Sequence, residues 1–171
     1  GPEFVRGALR LLRATYIGYH GQAHEWLALA GNPALTHDLL NLCGYWFFPH
    51  AITYSEQLRH DDELAVSIVW QNRGVAPAYH PYLIQFRVGG PNGGVVETAA
   101  NNQRWAPGDL GEVAPIFTER YATPLPQGLL PGEHDLSFRL YSPQENRPVL
   151  LPLPLSMVDD GFYTVGKLTV R

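Results

Sequence analysis

The run Leu64-Ala65-Val66-Ser67-Ile68-Val69-Trp70-Gln71 decides the fold. Leu64, Val66, Ile68 and Trp70 alternate with Ala65, Ser67, Val69 and Gln71. Successive side chains of a strand point to opposite faces, so this period of two predicts a half-buried strand with Trp70 in the core. The same period recurs downstream. Tyr82, Ile84, Phe86 and Val88 alternate with Leu83, Gln85 and Arg87, and His134, Leu136, Phe138 and Leu140 with Asp135, Ser137, Arg139 and Tyr141. Further strands are expected near 45–54, 94–98, 112–121, 148–156 and 162–170. Turn clusters punctuate them: Arg59-His60-Asp61-Asp62, the hairpin loop Gly89 to Gly94, Pro107-Gly108-Asp109, Pro131-Gly132 and Asp159-Asp160-Gly161. About eight short strands with regular turns predict a mainly β fold, an antiparallel β-sandwich. Pro152 and Pro154 put their segment on a sheet edge, because proline cannot donate to a central ladder.

Upstream the pattern is different. Ala23, Trp26, Leu27 and Ala30 fall on one helical face, and Gly31 ends it. Asn32 is a good N-cap, Pro33 a good first helical residue, and Gly44 a stop after Leu35, Leu39 and Leu42. Two short helices, 21–30 and 33–43, are expected. Ala14 to Tyr19 is β-prone and reads as a strand orphaned from its sheet. Trp26, Trp46, Phe47 and Phe48 are expected to cement the helices to the sheet. Gly1-Pro2-Glu3-Phe4 reads as a cloning scar, a protease-cut Gly-Pro followed by a restriction-site Glu-Phe. The expected organisation is therefore a scar at 1–4, a short N-terminal helical appendage at 5–44, and a β-sandwich at 45–171, cut from a longer chain.

Composition narrows the function classes. Leu, Ile, Val and Phe account for 47 of the 171 residues, enough for a packed core. Net charge is −4 with no basic run, which argues against a nucleic-acid partner. No apolar stretch approaches the roughly 20 residues of a membrane helix. Cys43 is the single cysteine, so an internal disulfide is impossible.

Catalytic motifs fail in turn. His24-Glu25-Trp26-Leu27-Ala28 lacks the second histidine a zinc helix needs. The other histidines have no ligand spacing, and there is no Gly-x-Ser-x-Gly elbow or phosphate loop. The acid pairs Asp61/Asp62 and Asp159/Asp160 sit on turns and face solvent. The fragment is expected to be no enzyme and to carry no cofactor or resident metal. Asp109, Asp159 and Asp160, on turns beside backbone carbonyls, are the weak candidates for a structural calcium.

Two segments stand out. Asn101-Asn102-Gln103-Arg104-Trp105 puts three amides, a guanidinium and an indole in five residues. A flat ring for the C–H face of a sugar, with planar donors for its hydroxyls, is the chemistry of a glycan site. The bland alternative is that Trp105 plugs the sandwich edge while the asparagines make turns. Asn72 to Tyr82 joins two strands. It reads as a rigid connection, Gly74 at positive φ and Pro77 and Pro81 stiffening it, with Tyr79, His80 and Tyr82 either packed or facing a sugar. The ligand-binding candidates are thus Trp105, Arg104, Asn101, Asn102, Tyr79, His80 and Tyr82. Exposure of Tyr79, Tyr82, Trp105 and Tyr121 discriminates a binding platform from packing.

Gly44-Tyr45-Trp46-Phe47-Phe48-Pro49, Asn72-Arg73-Gly74-Val75-Ala76-Pro77-Ala78-Tyr79, Arg104-Trp105-Ala106-Pro107-Gly108, Leu125-Pro126 with Gly128, and Gly161-Phe162-Tyr163 resemble the C-terminal region of uncharacterised bacterial glycoside-hydrolase-like proteins, in which a (β/α)8 barrel precedes a β-sandwich. The resemblance runs from about Gly18 onward. It implies that Tyr16 to His20 is the last barrel strand, that the 21–43 helices close the barrel, and that the catalytic carboxylates lie upstream. It transfers no catalytic residue. The resulting expectation is a non-catalytic accessory module of a carbohydrate-active enzyme, secreted or periplasmic in a bacterium. Its partners would be a polysaccharide or oligosaccharide and the upstream barrel. The alternatives are a purely structural domain packed on that barrel and a small stand-alone hydrolase, which needs two carboxylates, or a histidine and an acid, in one cleft.

Overall fold

The computed structural model describes residues 2–17, 30–108, 112–154 and 158–171. Among the described residues two helices come first, α1 (Pro2–Leu11) and α2 (Pro33–Leu42). The strands are β1 (Phe47–Tyr54), β2 (Gln57–Leu58), β3 (Glu63–Asn72), β4 (Leu83–Val88), β5 (Gly94–Ala99), β6 (Ile116–Pro124), β7 (Gly132–Ser142), β8 (Arg147–Val149), β9 (Val158–Asp159) and β10 (Phe162–Val170). A short 3-10 turn, Asn102–Arg104, lies between β5 and β6.

The strands form two sheets. One is three-stranded, in the order β1-β3-β6; the other runs β2-β10-β7-β4-β5, with β8 added to β7 and β9 to β10. The two pack face to face. Trp70 of β3 meets Phe138 of β7 edge-on at 6.3 Å, and Tyr121 of β6 meets Phe86 of β4 at 6.0 Å. Leu64, Val66, Ile68 and Trp70 are fully buried between the sheets, as the alternation requires. Each such side chain contributes roughly 1.5–3 kcal/mol of apolar burial. The fold is a mainly β sandwich, and one pairing, β2 with β10, is parallel.

Several expectations shift in detail. The strand expected at 148–156 stops at Val149, before Pro152 and Pro154, because proline removes the donors a continuing edge needs. Ala14 to Ile17 joins no sheet. Its Ala14 carbonyl instead accepts from Gly44 N at 2.8 Å. Gly18, Tyr19, His20 and most of the 21–30 helix, with Trp26, lie outside the described residues. α2 begins as its sequence predicts: Asn32 Oδ1 accepts from Leu35 N at 3.1 Å, and Pro33 follows. α1 takes in Pro2, Glu3 and Phe4 and is tied to α2 by Arg6 Nε donating to Asp38 at 2.8 Å.

Candidate functional site

The amide-rich segment after β5 is interior architecture. Trp105 is 0% exposed. Its indole stacks on Trp70 at 4.5 Å and takes Phe47 edge-on at 4.9 Å. Its Nε1 donates to Glu119 Oε1 at 2.8 Å. The other Glu119 oxygen accepts from the Tyr121 hydroxyl at 2.8 Å, and that hydroxyl accepts from Trp70 Nε1 at 2.9 Å. A buried indole needs a partner for its N–H, and one carboxylate serves both. Burial pushes the Tyr121 phenol far above its ordinary value, and the charge of Glu119 adds to the shift.

Asn102 is also fully buried. Its Oδ1 accepts from Tyr82 N at 2.8 Å, and its Nδ2 donates to the His80 carbonyl at 2.7 Å. Gln103 Nε2 donates to the Tyr79 carbonyl at 2.9 Å. The amides staple the Asn72–Tyr82 connection to the sandwich end. That explains why the cluster is richer than a turn needs.

Asn72, the last residue of β3, does the same from the other side. Its Oδ1 accepts from Trp46 N and Gly74 N, each at 3.0 Å. Its Nδ2 donates to the Ala76 and Trp105 carbonyls at 2.9 and 3.1 Å. Gly74 is needed for close approach and not for positive φ: a Cβ there would stand 2.2 Å from the Gly44 carbonyl oxygen. That oxygen accepts from both Val75 N and Ala76 N at 2.9 Å.

The glycan platform expected at Trp105 is therefore corrected. Trp105, Tyr82 and Asn102 are sealed in the core, and their polar atoms are engaged within the protein, so none can meet a sugar. Tyr82 is 3% exposed, its hydroxyl bonded to that of Tyr45; burial, then that bond, raises its phenol above the ordinary range. Of the four discriminating aromatics, Tyr82, Trp105 and Tyr121 are buried and Tyr79 is exposed. His80 is exposed too. Asn101 and Arg104 remain on the surface, where they line a shallow depression against Ile116 to Arg120.

Exposed aromatic and cationic groups meet elsewhere. Trp46 and Phe48 were expected to cement helices to the sheet, but only Phe47 of that triplet points into the core. Trp46 is 37% exposed and meets the Phe48 ring edge-on at 4.6 Å. The guanidinium of Arg73 lies 4.0 Å above the other part of this row, the Phe48 ring. Beside this ledge opens a cleft of about 940 Å³, lined among others by Arg10, Arg13, His50, Gln71, Arg73 and Glu112. Gln71 is buried at its floor. Its Oε1 sits 2.7 Å from Arg73 Nε and 2.9 Å from His50 Nε2, and its Nε2 donates to the Ala114 carbonyl at 2.7 Å. A bulge between Pro49 and Ala51 brings His50 into this position on β1. The alternation Trp46-out, Phe47-in, Phe48-out was the sequence signal for the ledge.

The calcium candidates separate. Asp159 accepts from Arg87 at 2.7 Å, and Arg87 is itself buried with its guanidinium 4.5 Å from the Phe162 ring. Asp160 takes φ +49 in the turn before β10, its carbonyl bonded to Arg139 at 2.8 Å. Asp109 lies outside the described residues. Among the described residues no three His, Cys, Asp or Glu side chains gather as a metal would need. Nor is any helix among them long and apolar enough to cross a membrane.

No family model and no curated protein matches the chain. Among solved structures, a CARDB domain from Pyrococcus furiosus in complex with di-metal ions is similar at 10% identity, covering 74% of this chain and 93% of its own, with a TM-score of 0.39. A mutant β-glucosidase from Listeria innocua in complex with laminaribiose is similar at 10% identity over 74% of this chain and 16% of its own, with a TM-score of 0.36. An alkylpurine DNA glycosylase from Pseudomonas fluorescens, bound to DNA containing an abasic site analog, is similar at 11% identity over 99% of this chain and 44% of its own, with a TM-score of 0.38. Likenesses this distant say nothing of activity, ligand or partner in this chain.

Proposed function

We propose that the chain is a non-catalytic accessory β-sandwich module that holds a saccharide on the Trp46–Phe48–Arg73 ledge. The observation that carries the reading is the position of Trp46: a 37% exposed indole in one row with a second aromatic ring and a guanidinium. An exposed indole offers its face to sugar C–H groups, and the neighbouring planar donors serve hydroxyls. This is the chemistry anticipated at Trp105 and Arg104, supplied by different residues. A secreted or periplasmic location accompanies the reading, and the catalytic barrel implied by the motif resemblance would be the module's covalent neighbour.

Glu119, the carboxylate beside the buried indoles, is engaged by Trp105, Tyr121 and Asn101 N, a packing role that accords with the accessory reading.

The packing alternative draws on a different surface. The outer face of the three-stranded sheet presents Ala51, Thr53, Ala65, Ser67, Val69, Thr118 and Ala122, with Arg120 as its charged side chain between the two ends. A flat face so poor in charge suits a neighbouring domain. Affinity electrophoresis through a panel of soluble polysaccharides decides between them. The saccharide reading expects retardation by at least one polymer, abolished by Trp46→Ala with an unchanged melting temperature. Free migration of the parent chain through the whole panel would leave the packing reading standing.

A further inference from the structure

We infer that the floor of the cleft is an anion site for the carboxylate of an acidic, uronate-bearing polysaccharide. Arg73 is its contact and Gln71 its positioning residue, with His50 bonded to the same Gln71 oxygen. The inference rests on the saccharide reading above and adds the class of sugar.

The argument starts at Gln71, whose amide orientation is set by its neighbours. Nε2 must face the Ala114 carbonyl, which can only accept, at 2.7 Å. Oε1 is then the atom between Arg73 Nε at 2.7 Å and His50 Nε2 at 2.9 Å. An amide oxygen only accepts, so His50 Nε2 carries a hydrogen. One buried oxygen thus gathers a guanidinium and an imidazole side by side. Each is oriented before any ligand arrives.

Arg73 is doubly restrained. Its Nε is held by Gln71 and its Cζ lies 4.0 Å from the centre of the Phe48 ring. Among the described residues its two terminal nitrogens have no hydrogen-bond partner, although a guanidinium offers a fork that matches a carboxylate. Arg10 and Arg13, at and beyond the end of α1, line the same cleft, and Glu112 is the described carboxylate there. Among the described lining residues, Arg10 and Arg73 stand against one acid, Glu112, in a chain whose net charge is −4. A field of one sign in a concave site draws and holds the opposite charge.

The class of ligand follows from what adjoins the cations. Arg73 belongs both to the cleft and to the aromatic row of Phe48 and Trp46. A bare inorganic anion uses only the first, and a neutral sugar only the second. A uronate carries a ring face and a carboxylate in one unit, and a chain of them repeats both.

The test uses the full chain, with titration calorimetry and affinity electrophoresis against polygalacturonate, a neutral galactan, and sodium sulfate. The expected result is polygalacturonate binding at least tenfold tighter than the neutral polymer, weakened about tenfold or more by Arg73→Gln, and strongly reduced in 0.5 M salt, since Coulomb attraction at such a site is screened. Arg104→Gln should leave it unchanged. If Arg73→Gln does not fold, Arg73→Lys, which keeps one charge and loses the fork, should weaken polygalacturonate binding several-fold and carries the same decision. For Gln71, nitrogen NMR of His50 should show the Nε2–H tautomer in the parent and its loss in Gln71→Met, a change a purely structural residue would not make. Equal binding of acidic and neutral polymers, both lost in Trp46→Ala, would overturn the acidic class and keep the saccharide reading. Sulfate competing as tightly as the polymer repeat would reduce the site to a simple anion hole and overturn the inference. No binding of either polymer overturns both.

Discussion

Trp70 and Trp105, thirty-five positions apart in the chain, stack 4.5 Å apart and are tethered to the same carboxylate, Trp105 directly and Trp70 through the Tyr121 hydroxyl. The irregular segment after β5 is thereby locked to the centre of β3 and to β6. Stacked aromatics contribute beyond their area, and a charged acceptor makes stronger hydrogen bonds than a neutral one.

Trp105→Ala is expected to cost roughly 3–5 kcal/mol, because it empties a fully buried site and leaves Glu119 short of a donor. Denaturant melts check this. A loss below about 1 kcal/mol would mean that Trp105 is no core residue.

Asn72→Ala should destabilise by about 2–4 kcal/mol without removing any apolar contact of note. It strips partners from Trp46 N, Gly74 N and the Ala76 and Trp105 carbonyls at once. Buried polar groups left unpaired each cost about 1–3 kcal/mol, part of which water entering the gap restores. Amide exchange at Trp46 and Gly74 should accelerate more than at Ile68, and uniform acceleration would contradict the hub.

Two glycine substitutions should go in opposite directions. Gly74→Ala places a Cβ 2.2 Å from the Gly44 carbonyl oxygen, so two backbone segments must part, at about 1–3 kcal/mol. Gly7→Ala meets nothing within 4 Å inside α1 and should stabilise that helix by about 0.5–1 kcal/mol. Paired thermal melts of the two variants test the contrast.

Tyr82 and Tyr121 should be missing from an alkaline titration of the folded protein followed at 295 nm. Burial raises both phenols, so they keep their protons above the ordinary range of a phenol. In the unfolded chain both ionise near pH 10. Above that pH the native state therefore binds more protons than the unfolded state, and stability falls as pH rises. The contribution of these two groups is complete below about pH 10 and declines above it. Titration of all nine tyrosines as one group, with the fold intact, would refute the prediction.

What the sequence determined by itself is periodic. Leu64 to Gln71 has one way to hide its large residues, so the strand, its inward face and the place of Trp70 follow from side-chain alternation alone. Asn32-Pro33 starts α2, and the glycines of the Gly89–Gly94 loop close the β4–β5 hairpin, Gly89 and Gly90 at φ +105 and +72, because capping and turn geometry are local. Only the tertiary structure decided the fate of Trp105 against that of Trp46. An aromatic in an irregular segment has no period to say which way it points. Its burial depended on Glu119, fourteen positions on, turning inward from β6 to meet its N–H, and on Asn72 taking its carbonyl. The cleft is non-local in the same way. His50, Gln71 and Arg73 become neighbours through the β1–β3 register and the bulge at Pro49–Ala51, and no spacing along one segment records a pairing between two.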